Sequence, residues 1–254
     1  SMGGLKAALL ADAGFEGNRT IFDGKKGFWR MAASDQFEPD IISEVTSDEW
    51  AITDVSFKPY SSCRWSHAAL DCLSQLKTQI NDRDVASISI DTFYEATTLD
   101  GIPNTILDAQ FSLPYVVAVH LLDYPTGYEW LQRERITDSQ VLDLAKRVSL
   151  NQDEEMTANY EATGQMQAKM TIELTDGSIL SASVDHPRGT PENPIQYKSI
   201  EKKYETLVEP IIGHEPASEL KRHVLNIEQH DLTSITQLMN GIKSPARFVI
   251  INYC

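Results

Sequence analysis

Nowhere in these 254 residues is there a run of the eighteen or so apolar residues that a membrane-crossing helix needs. The longest apolar tract, "LPYVVAVHLL", is short and interrupted. Positive charge is also scarce. Lys and Arg number 22 against 37 Asp and Glu, for a formal net charge of −15. Phosphate-backbone binding requires net basic surface, so a nucleic-acid partner is not expected. A small anion is not excluded, because a local basic pocket can sit inside an acidic chain. The three cysteines, Cys63, Cys72 and Cys254, form no CxxC pair and no zinc spacing, and they fall short of the four thiolates of an iron–sulfur cluster. They cannot frame a disulfide scaffold, and a reducing compartment fits them best. No G-x-S-x-G, Walker A or dinucleotide-binding fingerprint occurs.

What is present reads as an ordinary globular composition, 41% hydrophobic and 23% charged. Residues 4–13 predict a short helix with Ala7, Leu10 and Ala11 on one face, flanked by Leu5 and Leu9 and stopped by Gly14 and Gly17. Residues 31–50 are polar and irregular, and "AITDVSF" at 51–57 alternates weakly, as a short strand would. "HAALDCLSQLKTQI" is helical, with Ala69, Leu73, Leu76 and Ile80 at three- or four-residue steps. "VASISIDTFY" alternates as a half-buried strand, with Ala86, Ile88, Ile90 and Thr92 on one side. "AQFSLPYVVAVHLLD" predicts a buried helix with Pro114 in its first turn. "TDSQVLDLAKRVSL" predicts another, opened by a Thr137/Gln140 capping box.

In "AKMTIELTDGSILSASV" the Asp176-Gly177 pair separates two alternating runs. Met170, Ile172 and Leu174 share one face before it, and Leu180, Ala182 and Val184 share one after it. This predicts a hairpin with a type I′ turn. Residues 196–241 read as two or three helices with charged outer faces. No repeat or low-complexity tract appears. Helices at both ends and strands in the middle give an α+β fold.

Two clusters could carry chemistry. "KPYSSCRWSH" at 58–67 places Lys58, Arg64 and His67 before a helix N-terminus, where a carboxylate could be cradled and Lys58 or His67 could move a proton. A solvated loop, with His67 simply starting the helix, is the plainer reading of the spacing. "DHPRG" at 185–189 could pair Asp185 with Arg188 across a turn, with Gly189 in a left-handed conformation; a rigid hinge is its plainer reading. Tyr115 in an apolar helix reads as core, with a hydroxyl that needs a partner. His120 reads as packed in the same helix. His223 and His230, seven apart, read as solvated.

"AALLADAGFEG", "IFDGKKGF", "KPYSSCRWSHAALD", "AQFSLPYVVAVHLLD" and "DHPRGTPENP" occur in the order seen in the MmgE/PrpD family, which the chain resembles over residues 3–210. The family includes 2-methylcitrate dehydratases, cis-aconitate decarboxylases and related epimerases. The resemblance implies a small α+β lid beside an all-helical domain, with the active site in the cleft between them. On that frame residues 1–57 are a remnant of the helical domain, 58–190 the lid, and 191–254 helices returning to the helical domain. Lys58, Tyr115 and His67 are then the candidate catalytic residues, and Arg64, Ser62, Cys63 and Arg188 the candidate substrate-binding residues. The implied chemistry is dehydration or decarboxylation beside a carboxylate of a polycarboxylate, with no metal and no other cofactor.

The family's members are longer, and the upstream helical residues that complete their cleft have no counterpart here. The chain could be a fragment, half of a split enzyme, or a shortened relative. A shortened relative could act as an isomerase or cyclase in specialised metabolism, or bind a ligand without catalysis. Each case predicts a homodimer or a complex with a complementary chain. Ser1-Met2 reads as a scar of tag removal, so a leader would not be visible; a cytoplasmic location is the expectation, and a mitochondrial one stays open.

Overall fold

The computed structural model describes residues 2–17, 21, 27–28, 51–80, 84–229 and 232–242. The chain divides into two units, Ser1–Trp50 and Ala51–Cys254.

In the first unit, helix α1 (Met2–Asp12) forms where a helix was predicted. It ends as Gly14 adopts φ 86°, and Phe15 N donates to Leu10 O at 2.8 Å. None of its residues is buried, so the Ala7/Leu10/Ala11 face lies exposed. The polar stretch 31–50, the histidine at 230 and the residues after 242 lie outside the described residues.

The second unit is built on a four-stranded sheet in the order β2-β1-β3-β4, formed by β1 (Val85–Thr92), β2 (Val148–Gln152), β3 (Ala168–Leu174) and β4 (Ile179–Val184). β1 runs parallel to β2 and antiparallel to β3, and β3 pairs antiparallel with β4. Helices flank this small mixed sheet, an α+β architecture. Helix α2 (His67–Ile80) packs against β3 and β4. Its predicted apolar stripe, Ala69, Leu73, Leu76 and Ile80, is buried as the periodicity requires. Helix α3 (Leu113–Leu121) is capped by the Ser112 hydroxyl, which accepts from Tyr115 N, and carries Pro114 in its first turn. A proline there removes only an N–H that has no helical partner anyway. The helix packs on α2 and is buried on nearly every side from Leu113 to Val119.

The strands follow their alternation. Ile88, Ile90 and Thr92 of β1 and Met170, Ile172 and Leu174 of β3 turn into one core, while Ser87, Lys169 and Glu173 stay outside. The pairing slips between Val85 and Ser87. That bulge puts Val85 inside and Ala86 outside, where strict alternation expected Ala86 inside. The Asp176-Gly177 hairpin forms with Met170 opposite Ala182 and Ile172 opposite Leu180. Its turn is not type I′. Only Gly177 has positive φ (81°), Gly177 N donates to Leu174 O, and Leu174 N donates to Ser178 O. This is a three-residue loop with a glycine bulge, the next commonest hairpin closure.

Two further expectations are corrected. Residues 51–57 hold a short 3-10 turn, Ala51–Asp54, and no sheet strand. Helix α4 (Ser139–Ala145) is capped by Asp138, whose carboxylate accepts from Gln140 N at 2.9 Å, and there is no capping box. The Thr137 hydroxyl instead donates back to Arg133 O. The helix also stops at Ala145, and the segment expected to continue it becomes β2. A continuous apolar rhythm does not separate a short helix from the parallel strand after it. Arg147 makes the join, donating from Nη1 to Val85 O and accepting from Ile88 N at 2.9 Å.

After helix α5 (Glu154–Thr163) and the hairpin, three helices close the described chain: α6 (Tyr197–Ile212), α7 (His214–Leu225) and α8 (Leu232–Gly241). They pack in series, α6 on α7 and α7 on α8, and α6 buries none of its residues fully. Among the described residues no helix is long and apolar enough to cross a membrane, and no group of three His, Cys, Asp or Glu could hold a metal ion.

Candidate functional site

The two motifs singled out in the sequence meet. Phe57 N donates to Gly189 O at 2.8 Å, which ties the entry of "KPYSSCRWSH" to "DHPRG". Gly189 has φ 90°, and a Cβ there would overlap the Phe57 carbonyl oxygen and stand 3.0 Å from its carbonyl carbon. Arg64 completes the clasp. Its Nη1 donates to Arg188 O at 3.1 Å and Phe57 O at 3.4 Å, and its Nη2 donates to Pro187 O at 3.4 Å. Arg64, expected to grip a carboxylate, therefore turns its Nη donors to the carbonyls of both loops, while its buried Nε has no partner among the described residues.

The expected Asp185–Arg188 pair does not form. Asp185 accepts from Gln167 Nε2 at 2.8 Å, while Arg188 reaches across to Asp71 of α2. Arg188 Nε lies 2.8 Å from Asp71 Oδ1, and Arg188 N donates to Oδ2 at 2.6 Å. Asp71 is 5% exposed, so this two-point contact satisfies a carboxylate that burial would otherwise penalise. The Tyr60 hydroxyl donates to Asp71 Oδ1 at 2.7 Å and accepts from Arg188 Nη2. Burial first, then the Asp71 charge, pushes the Tyr60 phenol above its ordinary value, so it stays a donor. The network runs on through Ser74 Oγ, 3.0 Å from the phenol oxygen and 2.9 Å from His120 Nε2.

This network backs a cleft of about 400 Å³ between Pro59–Ser61, the turn Pro125–Gly127 and α6. Among the described residues its charged lining is Arg188, Lys202 and Lys203, with no acid. Lys203 Nζ donates to Lys58 O, beside Pro59 at the cleft wall. Burial and then the Lys58 charge lower the Lys203 pKa, the signature of two ammonium groups crowded together. In a chain of net charge −15, this is a local concentration of positive charge that favours an anion.

The remaining candidates serve the loop or the core. Ser62 Oγ lies 2.7 Å from Ser66 Oγ, and Cys63 N donates to Gln110 O at 2.8 Å. Cys63 O faces His67 Nδ1 at 3.0 Å. A carbonyl only accepts, so Nδ1 carries the proton and Nε2 is left as an acceptor, with no partner among the described residues. His67 is 0% exposed, and burial first, then Arg64, pushes its pKa down to about 3. It is a neutral imidazole under ordinary conditions. Tyr115 lies in the core, fully buried, its hydroxyl donated to Trp130 O at 2.7 Å. The structure thus brings Lys58, Arg64, Arg188 and the 62–67 loop together and keeps Tyr115 apart. His223 is largely covered rather than solvated, its side chain 13% exposed and 4.0 Å from Glu219.

Sequence reasoning missed Tyr60, Asp71, Ser74, His120 and Lys203 as site residues. Asp71 carried a faint signal, an acid four residues after His67 on the buried face of a helix. Lys203 carried none, because it is one lysine in a charged helix face. His120 is depressed to about 4, by burial first and then by Lys77 and Arg188.

Both histidines set a sign for pH dependence. Their folded pKa values lie below the ordinary 6.5, so the unfolded chain takes up protons that the folded chain refuses. Their contribution is complete above pH 6.5 and is lost as pH falls toward 4 and 3. The urea midpoint is expected to fall between pH 7 and 4.5, with a shallower fall in His67→Gln or His120→Gln. An unchanged slope in both variants would remove these histidines from the account.

The family model described as the MmgE/PrpD C-terminal domain matches residues 60–229. Curated relatives include the cis-aconitate decarboxylases of Homo sapiens, 23% identical over 95% of this chain and 51% of that protein, and of Aspergillus terreus, 23% identical over 95% of this chain and 53% of that protein. The Mus musculus cis-aconitate decarboxylase is 22% identical over 94% of this chain and 50% of its own length. The chain spans about half the length of the curated relatives it matches.

Proposed function

The chain belongs to the MmgE/PrpD family through its C-terminal domain, and on that premise we propose that it supplies the lid-side, cationic wall of a lyase site acting on a carboxylate substrate. The observation that carries this reading is the acid-free basic cleft at the meeting of the two family motifs, in a strongly acidic chain. The similarity to cis-aconitate decarboxylases supports decarboxylation or a related elimination beside a carboxylate. In either reaction negative charge builds on the substrate as a bond to the reacting carbon breaks. Preorganised cations are worth most where that charge develops.

The roles follow from position. Lys202 and Lys203 line the cleft and hold substrate charge, and Lys58, beside Lys203, adds its charge to the same field. Arg188, aimed by Asp71 and Tyr60, offers guanidinium hydrogens to the same anion. Arg64, Ser62, Cys63 and His67 hold the loop in place, and Tyr115 serves the core through Trp130 O. Residues 58–190 act as the lid in this reading, and the reaction needs no metal. A facing wall, from a further part of a longer chain, from a second copy or from a complementary chain, would complete the site.

A second reading, a ligand-binding relative without turnover, is favoured by one observation. Tyr115 and His67, expected to move protons, are both fully buried and turned to backbone carbonyls. One experiment separates the two. Carbon dioxide release from cis-aconitate is measured with the purified chain, and binding of the same acid is measured in parallel. Lys58→Ala combined with Lys203→Ala is expected to weaken binding by about tenfold to a hundredfold, the loss of one charge-assisted contact and of the charge beside it. Turnover that disappears with binding supports the lyase. Binding without turnover supports the second reading. Binding unchanged in the double variant would displace the ligand from this cleft.

A further inference from the structure

The face that α6 turns to the cleft is uneven. Ser199, Lys202, Lys203, Thr206 and Leu207 recur at steps of three and four, so a single stripe of the helix lines the space. Along that stripe the chemistry changes within one turn, about 5.4 Å. The turn at 202–203 presents two ammonium groups and the turn at 206–207 presents none. The Thr206 hydroxyl donates back to Lys202 O at 2.8 Å. The methyl of Thr206 and the Leu207 side chain are what face Gly127: a Cβ placed there would lie 3.9 Å from Thr206 Cγ2 and 3.0 Å from Leu207 Cδ2. Pro125 and Pro59 extend the apolar lining. Neither proline carries a backbone N–H, so these positions offer an anion no main-chain donor. On the charged side, Arg188 uses Nε and Nη2 on Asp71 and Tyr60, and its Nη1 group has no partner among the described residues.

A compact anion carrying carboxylates on several sides would set one of them against Leu207 and Pro125, where the described lining offers it no cation. That arrangement is disfavoured. A single carboxylate with an apolar body satisfies both walls at once, the head at Arg188, Lys202 and Lys203 and the body along Leu207, Pro125 and Pro59. We propose that the cleft is selective for a carboxylate borne on an apolar, aliphatic body over a compact polycarboxylate. This rests on the reading of the cleft as a carboxylate site and narrows the class of molecule it takes.

The test is a titration of the whole chain with hexanoate, octanoate and cis-aconitate at one ionic strength, followed by calorimetry, and repeated on Leu207→Asp. Octanoate is expected to bind roughly tenfold more tightly than hexanoate, as burial of two further methylenes requires, and more tightly than cis-aconitate. Leu207→Asp lies on a helix surface outside the buried core. It is expected to keep its circular dichroism while the chain-length dependence disappears. Should cis-aconitate bind with octanoate no tighter than hexanoate, the apolar-body inference is overturned and the carboxylate site stands. Should none of the three bind, the carboxylate site itself is overturned, and this inference with it.

Discussion

Gly189→Ala is expected to destabilise the second unit by about 3 kcal/mol, read as a shift in the urea midpoint. Two effects add. A residue with a Cβ is strained at φ 90°, by about 1–2 kcal/mol. The new Cβ would also run into the Phe57 carbonyl, which is backbone, accepts from Arg64 Nη1, and belongs to the residue whose N–H makes the loop-to-loop bond. Relief requires the two motifs to separate, and that would pull Arg64 off the three carbonyls it holds. Gly177→Ala is the matched control. Gly177 also has positive φ, 81°, but a Cβ there would meet nothing within 4 Å. Its expected effect is strain alone, about 1 kcal/mol. Equal losses in the two variants would show that the motifs are not locked to each other. The Gly189 variant is also expected to lose ligand binding under conditions where it remains folded, because Lys58 and Arg188 are positioned by the two loops it separates.

Asp71→Ala has the second large effect. It leaves Tyr60 buried without its acceptor and removes two contacts from Arg188. Breaking a fully buried ion pair costs about 3–5 kcal/mol. The Arg188 side chain is 49% exposed and can rehydrate, so the expected loss is about 2 kcal/mol. Asp71→Asn keeps an oxygen for the Tyr60 hydroxyl and is expected to recover part of that stability. Ligand affinity is not expected to recover with it, because Arg188 is no longer drawn into place by a charge. Stability and affinity therefore separate in this pair of variants. If the Asn variant restores both, Asp71 is only a packing residue.

How far the sequence reached can be judged residue by residue. The buried stripe of α2, Pro114 in the first turn of α3 and the alternation of β3 and β4 were all legible, because each depends on a local period or on where proline fits a helix; the Ser112 cap was not. β2 was missed because its pairing with β1 is parallel and distant in sequence, which no local pattern encodes. The turn at Asp176-Gly177 was placed correctly and typed wrongly, since the same two residues suit both hairpin closures. At the candidate site, "KPYSSCRWSH" was identifiable as a motif, but the division of labour within it was not. Arg64 and Arg188 look alike in sequence. Only the meeting of the two loops, with Arg64 and Arg188 124 residues apart, decides that one clasps backbone and the other faces the cleft. Lys203 became visible only when α6 was laid beside Pro59.

The central claim is that a carboxylate sits against Arg188, Lys202 and Lys203, in the field that Lys58 reinforces. Mapping backbone ¹⁵N–¹H shifts on addition of cis-aconitate and, separately, octanoate tests it most directly. The account predicts saturable shifts concentrated at 58–64, 125–127, 186–189 and 199–207 with at least one of the two acids, and none of them in Lys58→Ala/Lys203→Ala. Shifts confined to other parts of the chain, or no saturable shifts with either acid, would contradict it.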